Sequence, residues 1–171
     1  MRSLRRLAAG LLLLLTAACA PAGRLHPPPM PAGAWQPGIA LLPDPRLTPG
    51  AVLPGLTAAQ VCRPGWAAAV RHVEPGLRRA VYAAYGLPRG NHTGFCAGPG
   101  GCELDHLVSL ELGGSNDAAN LWPQPHASAI VKDRLEDELH RMVCTGRLNL
   151  AQAQDMIARD WVAAYRRVFG E

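Results

Sequence analysis

Proline crowds the first third of this chain. Ten of the 16 prolines fall before residue 56, among them Pro27, Pro28, Pro29, Pro31, Pro37, Pro43, Pro45, Pro49 and Pro54. Proline fixes φ and carries no backbone donor, so at this density neither a helix interior nor a central strand can form. Residues 19–55 are therefore expected to be an extended tether. The folded unit is expected over residues 56–171, a length of roughly 115 residues that suffices for one hydrophobic core.

The residues ahead of the tether have the pattern of a targeting segment. Arg2, Arg5 and Arg6 precede an apolar run from Leu7 to Ala18. That run is short of the roughly 20 apolar residues a membrane-spanning helix needs, and it reads as a cleaved export signal over residues 1–18. Thr16, Ala17 and Ala18 lead into Cys19 in a pattern that resembles a lipobox, although Thr16 stands where leucine is usual. The expectation is a lipid on Cys19 and a protein anchored at the periplasmic or outer-membrane surface. Simple cleavage in the small-residue run Ala18 to Ala20 would instead give a secreted protein. Loss of the leader also changes the charge argument. The chain has 17 basic and 13 acidic residues, and three of the basic ones lie in the leader. The remainder is nearly neutral, so the overall basicity is not evidence for binding nucleic acid.

Cysteine parity carries more information. Of five cysteines, Cys62, Cys96, Cys102 and Cys144 remain once Cys19 is set aside. An exported chain is expected to pair them. Cys96 and Cys102 bracket a glycine-rich loop that can close on itself, which leaves Cys62 with Cys144 as a long-range staple. The competing possibility is a structural zinc site on Cys96, Cys102 and nearby histidines. It lacks the C-x-x-C spacing usual for such sites.

Within the domain, residues 66–73 are expected to form a short helix. A second should run from Pro75 to Tyr85, with proline at its start, Gly86 as its stop, and Leu77, Val81, Ala84 and Tyr85 on its packing face. The alternating run Glu103 to Leu112 suits a strand leading into a loop. Residues 113–117 signal a turn, and residues 120–123 suggest a short extended piece that proline should end. The last third is helical. Val131, Leu135, Leu139 and Val143 make one apolar stripe, and Ala153, Ile157, Trp161, Tyr165 and Val168 make another. Asn149 with Gln152 resembles a capping box opening the last helix.

Chemistry concentrates at Asp105 and His106. Adjacent strand residues project to opposite faces. An imidazole is suited to act as a base near neutral pH, and a carboxylate suits a hard cation such as Mg2+. A phosphodiesterase needs both a base for water and a cation that offsets charge on the reacting phosphate. An Asp-His pair alone is a weak signal. The run Glu103 to Asp117 followed by Asn120, Leu121, Trp122 and Pro123 resembles the ββα-metal core of HNH endonucleases.

That resemblance implies an α+β fold, a small and mainly helical domain around a short antiparallel hairpin. It implies metal-dependent hydrolysis of nucleic acid, with DNA ranked before RNA and Mg2+ before Mn2+ or Zn2+. His106 matches the general base, Asp105 the first metal ligand, and Asn120 the residue that holds the active-site loop. The family usually adds a second ligand where the next helix begins. Here the chain departs from the pattern. His126 is the nearest suitable side chain, with Asp133 and Glu136 as alternatives. Glu103 is expected either to support the site from behind or to face solvent. Lys132, Arg134 and Arg141 could meet phosphates, or could simply balance neighbouring acids. No protein partner is expected. The incomplete ligand set and the near-neutral domain keep a second expectation open, a non-catalytic envelope lipoprotein that retains the scaffold as a binding module.

Overall fold

The structure, a computed structural model, describes residues 40–87 and 101–170. The leader, Cys19, most of the tether, His92 and Cys96 lie outside the described residues. The chain folds as a small α+β domain. Three short helices come first, α1 (Ala58–Val61), α2 (Trp66–Val70) and α3 (Pro75–Ala84). Strand β1 (Cys102–His106) follows, then two 3-10 turns (Leu110–Leu112 and Ala118–Asn120), then strand β2 (Leu121–Pro125). Helix α4 (His126–Cys144) starts directly at the end of β2, and α5 (Leu150–Phe169) closes the fold.

The hairpin is antiparallel, with Asp105 opposite Trp122 and His106 opposite Leu121. Its second strand contains two prolines, although proline was expected to end the pairing. The register explains the tolerance. The ladder is bounded by Leu107 N–H donating to the Asn120 carbonyl and His126 N–H donating to the Gly101 carbonyl. Hydrogen-bonded pairs alternate in an antiparallel ladder. Pro123 and Pro125 therefore fall on the positions whose nitrogens point away from β1, where no donor is required.

Each face of the hairpin meets a different layer. Trp122 is fully buried with the α4 stripe Val131, Leu135, Leu139 and Val143 and the α5 stripe Ala153, Ile157, Trp161 and Tyr165. Val168 packs only at the edge of this core. On the other face, Cys102 and Leu104 pack with Tyr82, Tyr85 and Leu87. The packing face of α3 is rotated from the expected one: Val81 and Tyr82 are buried while Ala84 is exposed. The bulk of Tyr82 has to be covered, and the hairpin lies on that side.

Local signals set the helix ends. Pro75 starts α3. The Asn149 side chain accepts from Ala151 N–H and pairs with Gln152 in a capping box at the start of α5, and Gly170 ends that helix in the left-handed region. Helix α5 also breaks at Asp160, with φ −164 and ψ 92. There the Asp160 carboxylate accepts from Ala163 N–H at 2.8 Å and caps the helix afresh. No helix among the described residues is long and apolar enough to cross a membrane.

Two long-range ties complete the domain. Cys62 and Cys144 form a disulfide that joins the end of α1 to the end of α4, with Cα atoms 5.6 Å apart. Cys102 is also disulfide-bonded. The second tie is the end of the expected tether. Trp161 Nε1 donates to the Leu41 carbonyl at 2.6 Å. Thr48, 1% exposed, donates to the Leu121 carbonyl at 2.8 Å. Val52 bridges Gly114. The folded unit thus reaches back at least to Leu41, ahead of the boundary at 56 that composition suggests. Proline forbids helix and central strand, but it permits an extended strap that bonds through its other residues.

Candidate active site around Asp105 and His106

The site is built at the end of β1, where the chain leaves the ladder. Gly113 adopts φ 79, a left-handed turn that favours glycine. At Gly114 a Cβ would lie 1.8 Å from the Val108 carbonyl oxygen and 2.7 Å from Asn120 Nδ2. Glycine is required there by close approach of the backbone. Asn120, fully buried, binds across this turn. Its Oδ1 accepts from Val108 N–H at 2.9 Å, and its Nδ2 donates to the Val108 and Ser115 carbonyls, each at 2.9 Å. It touches loop backbone through every polar atom it has, and its geometry is that of a loop clamp.

His106 leaves β1 on the face toward α2 and is 5% exposed. Its Nε2 lies 2.9 Å from Asn116 Oδ1. Asn116 is itself oriented, because its Nδ2 donates to the Val70 carbonyl at 2.8 Å. The carbonyl face of Asn116 accepts only, so His106 Nε2 carries the proton and Nδ1 holds the lone pair. Burial pushes the imidazole below its usual range. The Asn116 contact and the Asp105 charge oppose that shift, while the Arg71 and Lys132 charges add to it. A neutral imidazole with a fixed tautomer is what a base for water requires. Asn116 reads in the sequence as a turn residue only. Its position beside His106 depends on how the turn folds back on α2.

Asp105 projects to the opposite face, toward α4. Lys132 Nζ donates to Asp105 Oδ2 at 2.7 Å and to the His106 carbonyl at 2.7 Å, and it also bonds Glu136. The three donors of the ammonium thus meet three acceptors, in a side chain only 1% exposed. Gln124 completes the setting. With its amide oriented to satisfy both ends, it donates to Asp105 Oδ2 at 2.7 Å and accepts from Ser128 Oγ. Both of these contacts use Oδ2. Lys132 is thereby removed from the set of side chains that could meet phosphate. Arg141 pairs with Glu138 on the helix surface.

The remaining sequence-selected residues divide. Glu103, on the same strand face as Asp105, lies 3.5 Å from His126 Nδ1. Burial pushes the Glu103 carboxyl up, and the Asp105 charge adds to that. Asp133 is pushed up for the same two reasons in the same order. Glu103, Asp105, His126 and Asp133 therefore share one electrostatic neighbourhood, negative in excess of Lys132. Its oxygen-rich donors fit a hard divalent cation. Glu136 feels the Asp105 and Asp133 charges as well, but its carboxylate is bound by Lys132. Burial first, then the Asp105 charge, pushes its carboxyl up to about 8, against the pull of Lys132, to which it is bound.

These groups are near one another without closing into a compact chelate. Among the described residues, the trio of His, Cys, Asp or Glu whose ligand atoms lie within 4.8 Å of one another is Cys62, His140 and Cys144, at the far end of α4. That trio is a possible metal-binding group. His-x-x-x-Cys spacing on the helix was the available signal. His72 pairs with Glu74 at 2.6 Å. Compared with protein families, with curated proteins and with solved structures, the chain finds no match in any of the three.

Proposed function

We propose that this protein hydrolyses phosphodiester bonds of nucleic acid outside the cytoplasm, with His106 as the general base. The observation that carries the reading is the state of His106. It is a buried, neutral imidazole at the mouth of a ββα unit, its Nε2 proton held by Asn116, next in sequence to a carboxylate on the opposite face. His106 Nδ1 takes the proton of the attacking water. Asn120 and Gly114 hold the loop that keeps the ring in place. Asp105, with Glu103, His126 or Asp133, would hold a divalent cation, Mg2+ by preference for an oxygen-rich set. That ion would supply charge compensation for the reacting phosphate. The resemblance of residues 103–123 to the HNH core supports the same assignment, and the Cys62–Cys144 disulfide suits an oxidising compartment.

Purified protein should nick supercoiled plasmid in Mg2+ or Mn2+ and lose this activity on chelation. His106→Ala should abolish cleavage while leaving the helical circular dichroism unchanged. Cleavage that survives in that variant removes His106 from the reaction.

One observation favours a second reading, a scaffold that binds without cutting. The Lys132 ammonium already sits against Asp105, so the carboxylate has a cation of its own. Calorimetric titration with Mg2+ or Mn2+ separates the two, since the binding scaffold takes up no ion and the enzyme takes up one that Asp105→Ala removes.

A further inference from the structure

We infer that Cys62, His140 and Cys144 form a second metal site when the two cysteines are reduced, selective for a thiolate-preferring divalent cation such as Zn2+. The disulfide and the ion would be alternative cross-links at one place in the fold. The site lies at the opposite end of α4 from His126 and does not depend on the proposed nuclease activity.

The geometry supplies the three ligands. Cys62 caps the C-terminus of α1, and Cys144 is the last residue of α4. His140 lies one helical turn before Cys144, so the two side chains share a face. The ligand atoms of all three lie within 4.8 Å of one another. Reduction would let the sulfurs part to the roughly 3.8 Å expected of two thiolates on a tetrahedral zinc ion. Two thiolates and an imidazole form a donor set that prefers Zn2+ to Mg2+ or Ca2+. Cys144 is exposed and the other two are half-buried, so an ion can enter.

The imidazole has partners on both sides. His140 Nε2 lies 3.2 Å from the Val61 carbonyl, and Nδ1 lies 3.9 Å from Glu111 Oε2. If Nε2 binds the ion, Glu111 is at hand to hold the opposite N–H. If Nδ1 binds it, the Val61 carbonyl holds Nε2–H. Such an acceptor behind a ligating histidine fixes its tautomer and strengthens the ligand.

The exchange balances as follows. An external dithiol gives two electrons and two protons to the Cys62–Cys144 bond and becomes a disulfide itself, leaving two thiols. Binding of the ion then displaces the two thiol protons. Before oxidation, the ion would tie α1 to α4 as the disulfide later does.

The test uses reduced and oxidised protein side by side. Reduced protein should bind Co2+ with a thiolate-to-cobalt charge-transfer band, which Zn2+ removes by displacement, and oxidised protein should show no band. In the reduced chain, Zn2+ should protect Cys62 and Cys144 from alkylation, read by peptide mass, and should leave the alkylation rates of Cys96 and Cys102 unchanged. His140→Ala should weaken Zn2+ binding by at least about tenfold while the disulfide still forms on oxidation. If reduction lowers the helical circular dichroism, Zn2+ should restore it. A reduced protein without the charge-transfer band, protection of Cys96 and Cys102 in place of Cys62 and Cys144, undiminished affinity in His140→Ala, or helicity that Zn2+ fails to restore would each overturn the site.

Discussion

At the scale of single residues, the site depends on side chains that are held by others. Asn116 holds His106, and the Val70 carbonyl holds Asn116. Asn120 clamps Val108 and Ser115, and Gly114 makes room for it. The pH dependence of cleavage follows from His106. In the proposed reaction its base form is the active one, and burial lowers its pKa below the ordinary 6.5. The base form then persists as pH falls, so the acid limb of the kcat/KM profile should lie below 6.5. A cation held at Asp105 shifts the limb the same way. Asn116→Ala removes a contact that raises the pKa. Its limb should move further toward acid while the rate drops, because the ring is no longer aimed. A limb above 6.5 in the wild-type profile would contradict a buried neutral base.

At the scale of elements, the ββα unit is joined by one buried cation. Lys132 of α4 bonds Asp105 and the His106 carbonyl of β1 and also Glu136 of its own helix. Lys132→Met leaves the Asp105 and Glu136 carboxyl groups with no cation between them, and breaking such a buried pair is expected to cost about 3 kcal/mol. The sign of the pH effect follows from Glu136, whose carboxyl is pushed above its ordinary 4.5 to about 8. A raised acid is protonated more readily in the fold than in the unfolded chain, so its contribution is fully present below 4.5 and is lost as pH rises through about 8. Without Lys132 that carboxyl rises further. The loss in Lys132→Met, read by urea unfolding, should be smaller at pH 5 than at pH 8, and Glu136→Leu added to it should recover part of the stability. An equal loss at both pH values would show that Lys132 acts by packing alone. Helix ends, by contrast, were readable from local signals. Pro75, Asn149 with Gln152, and Gly170 act where a sequence pattern places them. Those signals work within one turn of the chain and need no tertiary partner.

At the scale of the whole molecule, the fold is tied at two distant places, by the disulfide and by the strap from Leu41 to Val52. The disulfide closes a loop of 82 residues. On the chain-entropy estimate, loss of such a cross-link destabilises by about 4 kcal/mol. Cys62→Ala with Cys144→Ala should show this as a lower urea midpoint, with the transition remaining cooperative. A midpoint unchanged from the wild type would mean that the strap and core suffice. The sequence by itself determined the helical last third, its apolar stripes, the cysteine pairing of 62 with 144, and the adjacency of Asp105 and His106. All of these rest on periodicity, parity or immediate neighbours. Only the tertiary structure decided that Lys132 is buried between Asp105 and Glu136, that Asn116 orients His106, that prolines fit β2, and that the segment from Leu41 to Val52 packs on the domain. Each of these turns on partners far along the chain or on the register of two strands. Thr48 meets Leu121 across 73 residues and Lys132 meets Asp105 across 27. A local pattern cannot carry such contacts, because they exist only once the core around Trp122 and Trp161 has brought the segments together.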